Sequence, residues 1–258
     1  MNILVCIKPD MAGQDIGPFE SLALEAGLIL KEKAAEQGDK DWQVDVVTVG
    51  PIDWEDCLRR AFGMGADNGF HILVQSENKN CGLIPASETA VLLAQAIQFP
   101  GLMPSYDLIL TGVMSQDVMA GQTCPMLGEL LGVPAVTAVI DIDKSSSSHV
   151  DKQIISTRRE WEGGIVETMD IPLPAVLSVQ SGVYSPRYPT LSHMLKAGEK
   201  SIEIIYPEKL KNRDIDPIPR EIICEIKTPE KTREALVVSG SLEDQVQAFA
   251  DFLEKRAL

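Results

Sequence analysis

The first half of the chain alternates short apolar runs with amphipathic segments, and this alternation constrains the fold more than any other feature. The run Ile3-Leu4-Val5-Cys6-Ile7 ends at Lys8-Pro9-Asp10, which is typical of a strand covered on both faces and closed by a turn. Similar runs occupy 44–49, 71–74 and 108–110. Four amphipathic segments separate these runs. One begins at Pro18, one follows the candidate N-cap Asp53, one covers 86–97, and one ends near Gly132. This order predicts an α/β protein with a mainly parallel sheet and helices on both faces.

The pattern changes after residue 134. Strand-like runs over 135–142, 153–158, 166–171 and 175–179 are joined by short turns, among them 145–148 and 162–164, which predicts an antiparallel extension of the sheet. Residues 207–219 are rich in proline and charge and are interpreted as a linker. A short strand near Ile222 and an amphipathic helix over about 242–253 are predicted to follow. The predicted organisation is therefore one α/β domain over 1–206 and a linker with a C-terminal arm over 207–258.

Charge and cysteine usage exclude several classes of protein. Of the 258 residues, 38 are acidic and 23 are basic, and the resulting charge of −15 disfavours nucleic acid and anionic membrane surfaces as partners. The five cysteines are scattered and never form C-x-x-C, so neither a disulfide framework nor a zinc or iron–sulfur site is expected. No basic and apolar leader and no apolar run near the roughly 20 residues of a spanning helix is present. We expect a cytoplasmic protein without membrane insertion.

Catalytic and metal-ligating residues are not expected. The only histidines are His71, His149 and His193, and G-x-S-x-G, H-E-x-x-H and G-x-x-x-x-G-K-[ST] patterns are all missing. The glycines of 63–69 have the wrong spacing for a dinucleotide fingerprint and precede a strand instead of following one. A helix C-cap and turn is the preferred interpretation of that segment.

The segment 111–123 is the best candidate for a binding site. It follows the apolar run 108–110, contains Gly112 and Gly121, and leads into a helix that begins near Cys124. Ligands of open parallel sheets lie at the carboxyl ends of strands, where a loop and a helix N-terminus offer free backbone N–H groups to a phosphate. The residues alone indicate a possible nucleotide site, with an ordinary strand-to-helix loop as the equal alternative.

Five segments also carry a recognisable family pattern, in the same order along nearly the whole chain. They are the run 3–8, Gly17-Pro18-Phe19 before a helix, Val49-Gly50-Pro51 with 64–67, the loop 112–123, and Arg159 to Glu167 followed by Leu173 to Ser178. The segment Tyr184 to Leu191, with Lys196-Ala197, adds to them. Together they resemble the small (β) subunit of electron-transfer flavoproteins. The resemblance implies a Rossmann-like fold of the adenine-nucleotide α-hydrolase type and a C-terminal arm that wraps a partner.

The resemblance also implies a function and a set of site residues. It implies a heterodimer with an α subunit that holds the redox FAD, while this subunit binds AMP structurally and docks flavin-dependent dehydrogenases. The implied nucleotide-binding residues are Cys6, Gly17, Pro18, Phe19, Glu20, Val49, Gly112, Val113, Met114, Ser115, Gln116, Asp117, Val118, Met119, Ala120, Gly121, Gln122 and Thr123. The implied partner-docking residues are Val183, Tyr184, Pro186, Arg187 and Tyr188. The expected role is that of a redox carrier subunit, since flavin chemistry belongs to the cofactor.

Some departures from the family pattern leave alternatives open. The loop between Lys8 and Gly17 is short, Gly17 stands where the family usually has Asn, and the acidic run typical of AMP-binding members is missing from 115–123. Pro125 resembles the loop of electron-bifurcating members, which implies a second FAD in place of AMP as one alternative. A stand-alone domain that binds or hydrolyses an adenine nucleotide is the other.

Overall fold

The strands that the structure describes form one nine-stranded sheet with β1 and β4 near its centre. The computed structural model describes residues 1–13, 15–74, 84–144, 153–210 and 237–256. The strands are β1 Asn2–Cys6, β2 Gln43–Gly50, β3 Gly69–Leu73, β4 Leu108–Gly112, β5 Ala135–Lys144, β6 Ile154–Trp161, β7 Ile165–Pro172, β8 Ala175–Val179 and β9 Ile202–Ile205. The helices are α1 Pro18–Glu36, α2 Glu55–Met64, α3 Ala86–Gln98, α4 Thr123–Leu131, α5 Leu191–Glu199 and α6 Leu242–Arg256. Short 3₁₀ turns cover Ile52–Trp54, Glu162–Gly164 and Pro207–Leu210.

The strand order confirms the predicted α/β fold with a mainly parallel sheet. The order is β7-β6-β5-β8-β4-β1-β2-β3-β9, and all neighbours from β5 to β9 run parallel. The antiparallel extension consists of β6 and β7, which pair with β5 and with each other. The strand at 175–179 does not belong to this extension, because β8 returns to the parallel part and lies between β4 and β5.

Alternate side chains of the central strand enter two separate apolar cores. Ile3 and Val5 pack in a cluster with residues of α1 and α2, whereas Leu4 packs in a second cluster with residues of α3 and α4. Because successive side chains of a strand point to opposite faces, these clusters place α1 and α2 on one face of the sheet and α3 and α4 on the other. The continuous apolar run at 3–7 reflects this two-sided burial.

Several local predictions change in the structure. Asp53 is not the N-cap of α2, because a 3₁₀ turn comes first and Trp54 takes the N-cap position. Two elements were not predicted at all: α5, whose N-cap Thr190 accepts a hydrogen bond from the His193 backbone N–H, and the edge strand β9. The segment 63–69 does contain the predicted cap, since Gly65 ends α2 with a φ of 128°. The predicted turn at 145–148 and the strand near Ile222 lie outside the described residues.

The chain divides into two units, Met1–Glu221 and Ile222–Leu258. The first contains the whole sheet and α1 to α5, and its last described element is the 3₁₀ turn that buries Leu210. In the second, α6 carries exposed apolar side chains at Val246, Phe249 and Leu253. Among the helices described here, none has the length and apolar character needed to cross a membrane.

Candidate functional site

One cleft lies where the order of the strands reverses. The chain moves from β1 through β2 to β3 on one side, and then returns to place β4 on the other side of β1. At such a switch point, the loops after two neighbouring parallel strands separate and leave a crevice at their carboxyl ends. This cleft opens to solvent and is lined by residues 6–8 at the end of β1 and 111–115 at the end of β4. The fold therefore places the predicted loop at the position where open α/β sheets bind ligands.

The start of α1 is held against the end of β4 by a glycine. A Cβ atom at Gly112 would lie 2.9 Å from the Phe19 Cβ and 3.0 Å from the Glu20 backbone nitrogen. Gly17 precedes the helix, and its backbone N–H donates to the Lys8 carbonyl at 2.8 Å. Pro18 follows at the first helical position, where its lack of an N–H costs nothing. These contacts fix the first turn of α1 as a wall of the cleft.

Glu20 is a buried carboxyl in that wall. The residue is only 5% exposed, it lines the cleft, and within the described part of the chain its Oε2 has no hydrogen-bond partner. Burial raises the pKa of Glu20 to about 7, and the charge of Asp117 adds to this, while the Glu20 backbone N–H and Lys8 oppose it. A buried carboxyl oxygen without a donor is costly and therefore marks a position for a ligand.

An ion pair joins the loops that follow the two central strands β1 and β4. Lys8 Nζ lies 2.6 Å from Asp117 Oδ2, and both side chains are about four-fifths buried. Burial raises the pKa of Asp117, but the hydrogen bonds from Lys8 and Ser115 outweigh it, so the carboxylate titrates below its usual range. The Lys8 ammonium also lies 5.3 Å from the centre of the Trp54 ring. Lys8 therefore connects the loop that follows β1 to the predicted binding loop 111–123.

The second half of that loop exposes backbone donors at the start of α4. Met119 and Gly121 adopt left-handed conformations with φ of 53° and 64°, and a Cβ at Gly121 would lie 3.4 Å from the Val113 carbonyl. No side chain in the described part of the protein caps α4 at Gln122, and the next residue, Thr123, lines the cleft. Uncapped N–H groups and the helix dipole favour an anion at this position.

The structure brings most of the predicted nucleotide-binding residues to one cleft. Those that line it are Cys6, Glu20, Val49, Gly112, Val113, Met114, Ser115, Val118, Ala120, Gly121 and Thr123. Those that do not line it are Gly17, Pro18, Phe19, Gln116, Asp117, Met119 and Gln122. Gln116 instead accepts a hydrogen bond from the Met11 backbone N–H at 3.2 Å, and Asp117 holds Lys8.

Several lining residues were not predicted from the sequence. They are Ile7, Lys8, Val47, Trp54, Ile84, Ala86, Thr89 and Leu93. The available signal was topological, because Lys8 and Trp54 directly follow the carboxyl ends of two neighbouring parallel strands. Gly50 leaves room for Trp54, because a Cβ at that position would overlap the indole ring.

The cysteine at the cleft is not poised for thiolate chemistry. Burial and the neighbouring Cys124 raise the pKa of Cys6 to about 12, and burial raises that of Cys124 to about 12 as well. A thiol that stays protonated behaves as a small apolar side chain. Cys6 therefore contributes shape to the cleft and no nucleophile.

The predicted docking segment divides into anchors and exposed side chains. Tyr184 is buried and its hydroxyl accepts a hydrogen bond from the Ile142 backbone N–H at 2.7 Å. Arg187 forms ion pairs with Glu25 and Glu32 of α1. Val183 and Tyr188 are exposed, and Pro186 is half-buried. The side chains of Tyr184 and Arg187 thus fix the segment to the body of the domain, while Val183 and Tyr188 face solvent.

We expect Gly112→Ala to disturb the cleft and to lower stability by about 1 to 3 kcal/mol, as overpacking of a tight contact does. The added methyl group would push the first turn of α1 away from β4. Urea unfolding measures the stability. Gly198→Ala in α5 is the matched control, because no atom of the described residues lies within 4 Å of a Cβ at that position. Equal stabilities of the two variants would show that α1 moves freely at this contact.

Comparison with known proteins shows a family relationship over most of the chain. Residues 9–209 match the family model of the electron transfer flavoprotein domain. The chain is 32% identical over 246 residues to the mitochondrial electron transfer flavoprotein subunit beta of Oryza sativa subsp. japonica, with 92% of this chain and 88% of that protein covered. It is 27% identical to electron transfer flavoprotein subunit beta of Bacillus subtilis, with 97% and 90% covered. Identity to the Homo sapiens subunit beta is 30%, with 81% and 77% covered.

Proposed function

This chain belongs to the electron transfer flavoprotein family, among its β subunits, and from that premise we propose that it carries no redox chemistry of its own but binds AMP and assembles with an α subunit that holds FAD. The pair would carry electrons from flavin-dependent dehydrogenases to a downstream acceptor. The single observation that carries the nucleotide part is the cleft at the β1/β4 switch point. The other parts rest on the family relationship and on exposed apolar surfaces.

The residues of the cleft fit an adenine nucleotide. Uncapped N–H groups at the start of α4 suit a phosphate, and Gly121 lets the backbone approach it closely. Apolar side chains of Ile84 and Leu93 line the same cleft and suit a base. A bound AMP would fill the crevice and supply negative charge at the helix N-terminus, which makes its role structural.

Counting nucleotides tests this proposal directly. The full chain is purified together with the protein encoded beside it, the complex is denatured, and the released nucleotides are measured by chromatography with mass detection. One FAD and one AMP per heterodimer are expected. Two FAD without AMP would replace the proposal by an electron-bifurcating subunit, and hydrolysis of added ATP by the chain alone would replace it by a nucleotide-hydrolysing domain.

The C-terminal arm supports the proposed partnership. Val246, Phe249 and Leu253 of α6 are spaced three and four residues apart, so they share one face of the helix, and each is at least half exposed. An apolar helix face of this kind is typical of a segment that packs on another chain. We therefore propose that this face of α6 packs on the α subunit.

A second set of exposed apolar side chains, which lie close together in the sequence, is the proposed docking site for a dehydrogenase. Val183 and Tyr188 are 58% and 85% exposed, and the first two turns of α5 expose Leu191 and Leu195 at 78% and 68%. Tyr188 is steadied by Arg60, whose guanidinium lies 4.9 Å from its ring centre. We define these four apolar side chains as the docking patch. The α5 leucines were missed in the sequence because that helix was not predicted.

We expect Val183→Asp to slow electron transfer from the cognate dehydrogenase by about tenfold, because a carboxylate placed in an apolar contact is costly to desolvate. The bound nucleotide should stay unchanged, since Val183 does not line the cleft. Stopped-flow kinetics of flavin reduction measure the effect. Ile52→Asp is the matched control, because Ile52 has similar exposure, 50%, and lies outside the docking patch. If Val183→Asp transfers electrons at the wild-type rate, Val183 is not part of the docking site.

A further inference from the structure

Building on the nucleotide site proposed above, we infer that Glu20 is the specificity-determining residue of the cleft. Its carboxylate accepts a hydrogen bond from a donor on the nucleoside part of the ligand, which is a ribose hydroxyl or the exocyclic amino group of adenine. The observations that carry this role are the burial of Glu20, its place in the wall of the cleft, and its Oε2, which has no hydrogen-bond partner among the described residues.

The position of the carboxyl is built by the residues around it. The side chain folds back over Gly17, where a Cβ would overlap Glu20 Oε2 and lie 2.9 Å from its Cδ. Its backbone is pinned by the contact with Gly112 at the end of β4. Gly17 therefore leaves the space that the carboxyl occupies, and Gly112 fixes the helix turn that carries it. A side chain held in this way is preorganised to meet a ligand.

The charges around Glu20 decide which part of the ligand it meets. The ionisable groups that influence it are Lys8 after β1, Asp117 after β4 and the buried Cys57 of α2. Lys8 is already paired with Asp117, and burial holds the Cys57 thiol in its protonated form with a pKa of about 12. The two carboxylates disfavour a phosphate beside Glu20, whereas the start of α4 favours one. The part of the nucleotide that reaches Glu20 must therefore bring a donor.

Buried polar groups discriminate strongly between ligands. A carboxylate that is built to accept a hydrogen bond loses its partner when the ligand lacks the donor, and the cost is that of an unpaired buried charge. Hydroxyl and amino groups are both donors, so AMP contains two possible sources. AMP analogues that each lack one of these donors therefore show which donor Glu20 binds.

The test is equilibrium binding of AMP, 2′-deoxy-AMP, 3′-deoxy-AMP and purine riboside 5′-monophosphate to the nucleotide-stripped full chain. At least one analogue is expected to bind wild type about tenfold more weakly than AMP, as for a lost hydrogen bond to a charged group. In Glu20→Gln this difference should shrink to about twofold or less, because a neutral amide accepts a weaker bond. Glu36→Gln removes the same charge at an exposed position of the same helix, and it should keep the tenfold difference between AMP and the analogue.

A measurement on the unmodified chain adds a second readout. Calorimetric titration with AMP at pH 7 in two buffers of different ionisation enthalpy reports the protons released on binding. A donor from the ligand stabilises the charged carboxylate, so wild type should release more protons than Glu20→Gln. The phosphate of AMP contributes equally to both proteins and cancels in the comparison.

The outcomes separate the role of Glu20 from the nucleotide site itself. If all analogues bind wild type as AMP does, if discrimination persists in Glu20→Gln, or if binding takes up protons in a Glu20-dependent way, the role of Glu20 is overturned while AMP binding stands. If neither wild type nor Glu36→Gln binds AMP, the nucleotide site is overturned and this role with it.

Discussion

Arg187→Met is expected to lower the free energy of unfolding by about 3 kcal/mol, because it leaves a buried carboxylate without its counter-charge. Arg187 Nη2 lies 2.8 Å from Glu25 Oε1, and Glu25 Oε2 accepts the Arg187 backbone N–H at 3.0 Å. The Glu25 side chain is only 6% exposed. Methionine keeps most of the apolar stem of arginine, so the loss reports the charge and its hydrogen bonds. Urea unfolding at pH 8, where carboxylates are ionised, measures it.

The matched control is Arg158→Met on the antiparallel extension. Arg158 pairs with Asp141 at 2.5 Å, but its side chain is 49% exposed. Exposed ion pairs contribute about 0 to 1 kcal/mol, so this variant should stay close to wild type. If Arg187→Met also stays within about 1 kcal/mol of wild type, Glu25 does not depend on Arg187, and the docking segment is not anchored to α1 as described above.

The parallel part of the fold was predictable because burial on two faces leaves a signature in the sequence. The runs at 3–7, 44–49 and 108–110 contain few polar residues, and each became a central strand. The edge strand β9 was missed, since its four residues are too short for a periodic pattern and include the exposed Glu203. The position of β8 was also missed. It lies parallel between β4 and β5, and sequence spacing alone does not show that a strand inserts between two earlier strands.

The candidate site was predictable where its residues are contiguous. The loop 112–123 follows a strand and precedes a helix, so its place at a carboxyl edge follows from the topology. Lys8 and Trp54 enter the cleft through the order of the strands, which local patterns do not reveal. The unpartnered oxygen of Glu20 depends on three-dimensional burial and on the space at Gly17, and no sequence pattern reports either.

Glu20→Gln is expected to stabilise the nucleotide-free chain at pH 8 by about 3 kcal/mol, because each unit of pKa difference corresponds to about 1.4 kcal/mol. The folded pKa of Glu20 is raised from 4.5 to about 7, mainly by burial. Between these values the folded state binds a proton more tightly than the unfolded state. Stability therefore falls as the pH rises from 4.5 to 7, and the penalty is complete above 7. Glutamine does not ionise, so its advantage should vanish at pH 4.5.

Unfolding of wild type, Glu20→Gln and Glu36→Gln in urea at pH 4.5, 6 and 8 measures this difference. Burial lowers the pKa of His71, so protonation of this residue destabilises all three proteins equally as the pH falls below its ordinary value of 6.5, and it cancels in the comparison. A Glu20→Gln chain that is no more stable than wild type at pH 8 would show that water or a nearby donor already satisfies the carboxylate. Saturating AMP should stabilise wild type more than the variant, because the ligand supplies the donor that the folded chain lacks. If Glu20 lowers the stability of the nucleotide-free chain and AMP offsets that loss, nucleotide binding explains why a carboxyl group is buried at this position.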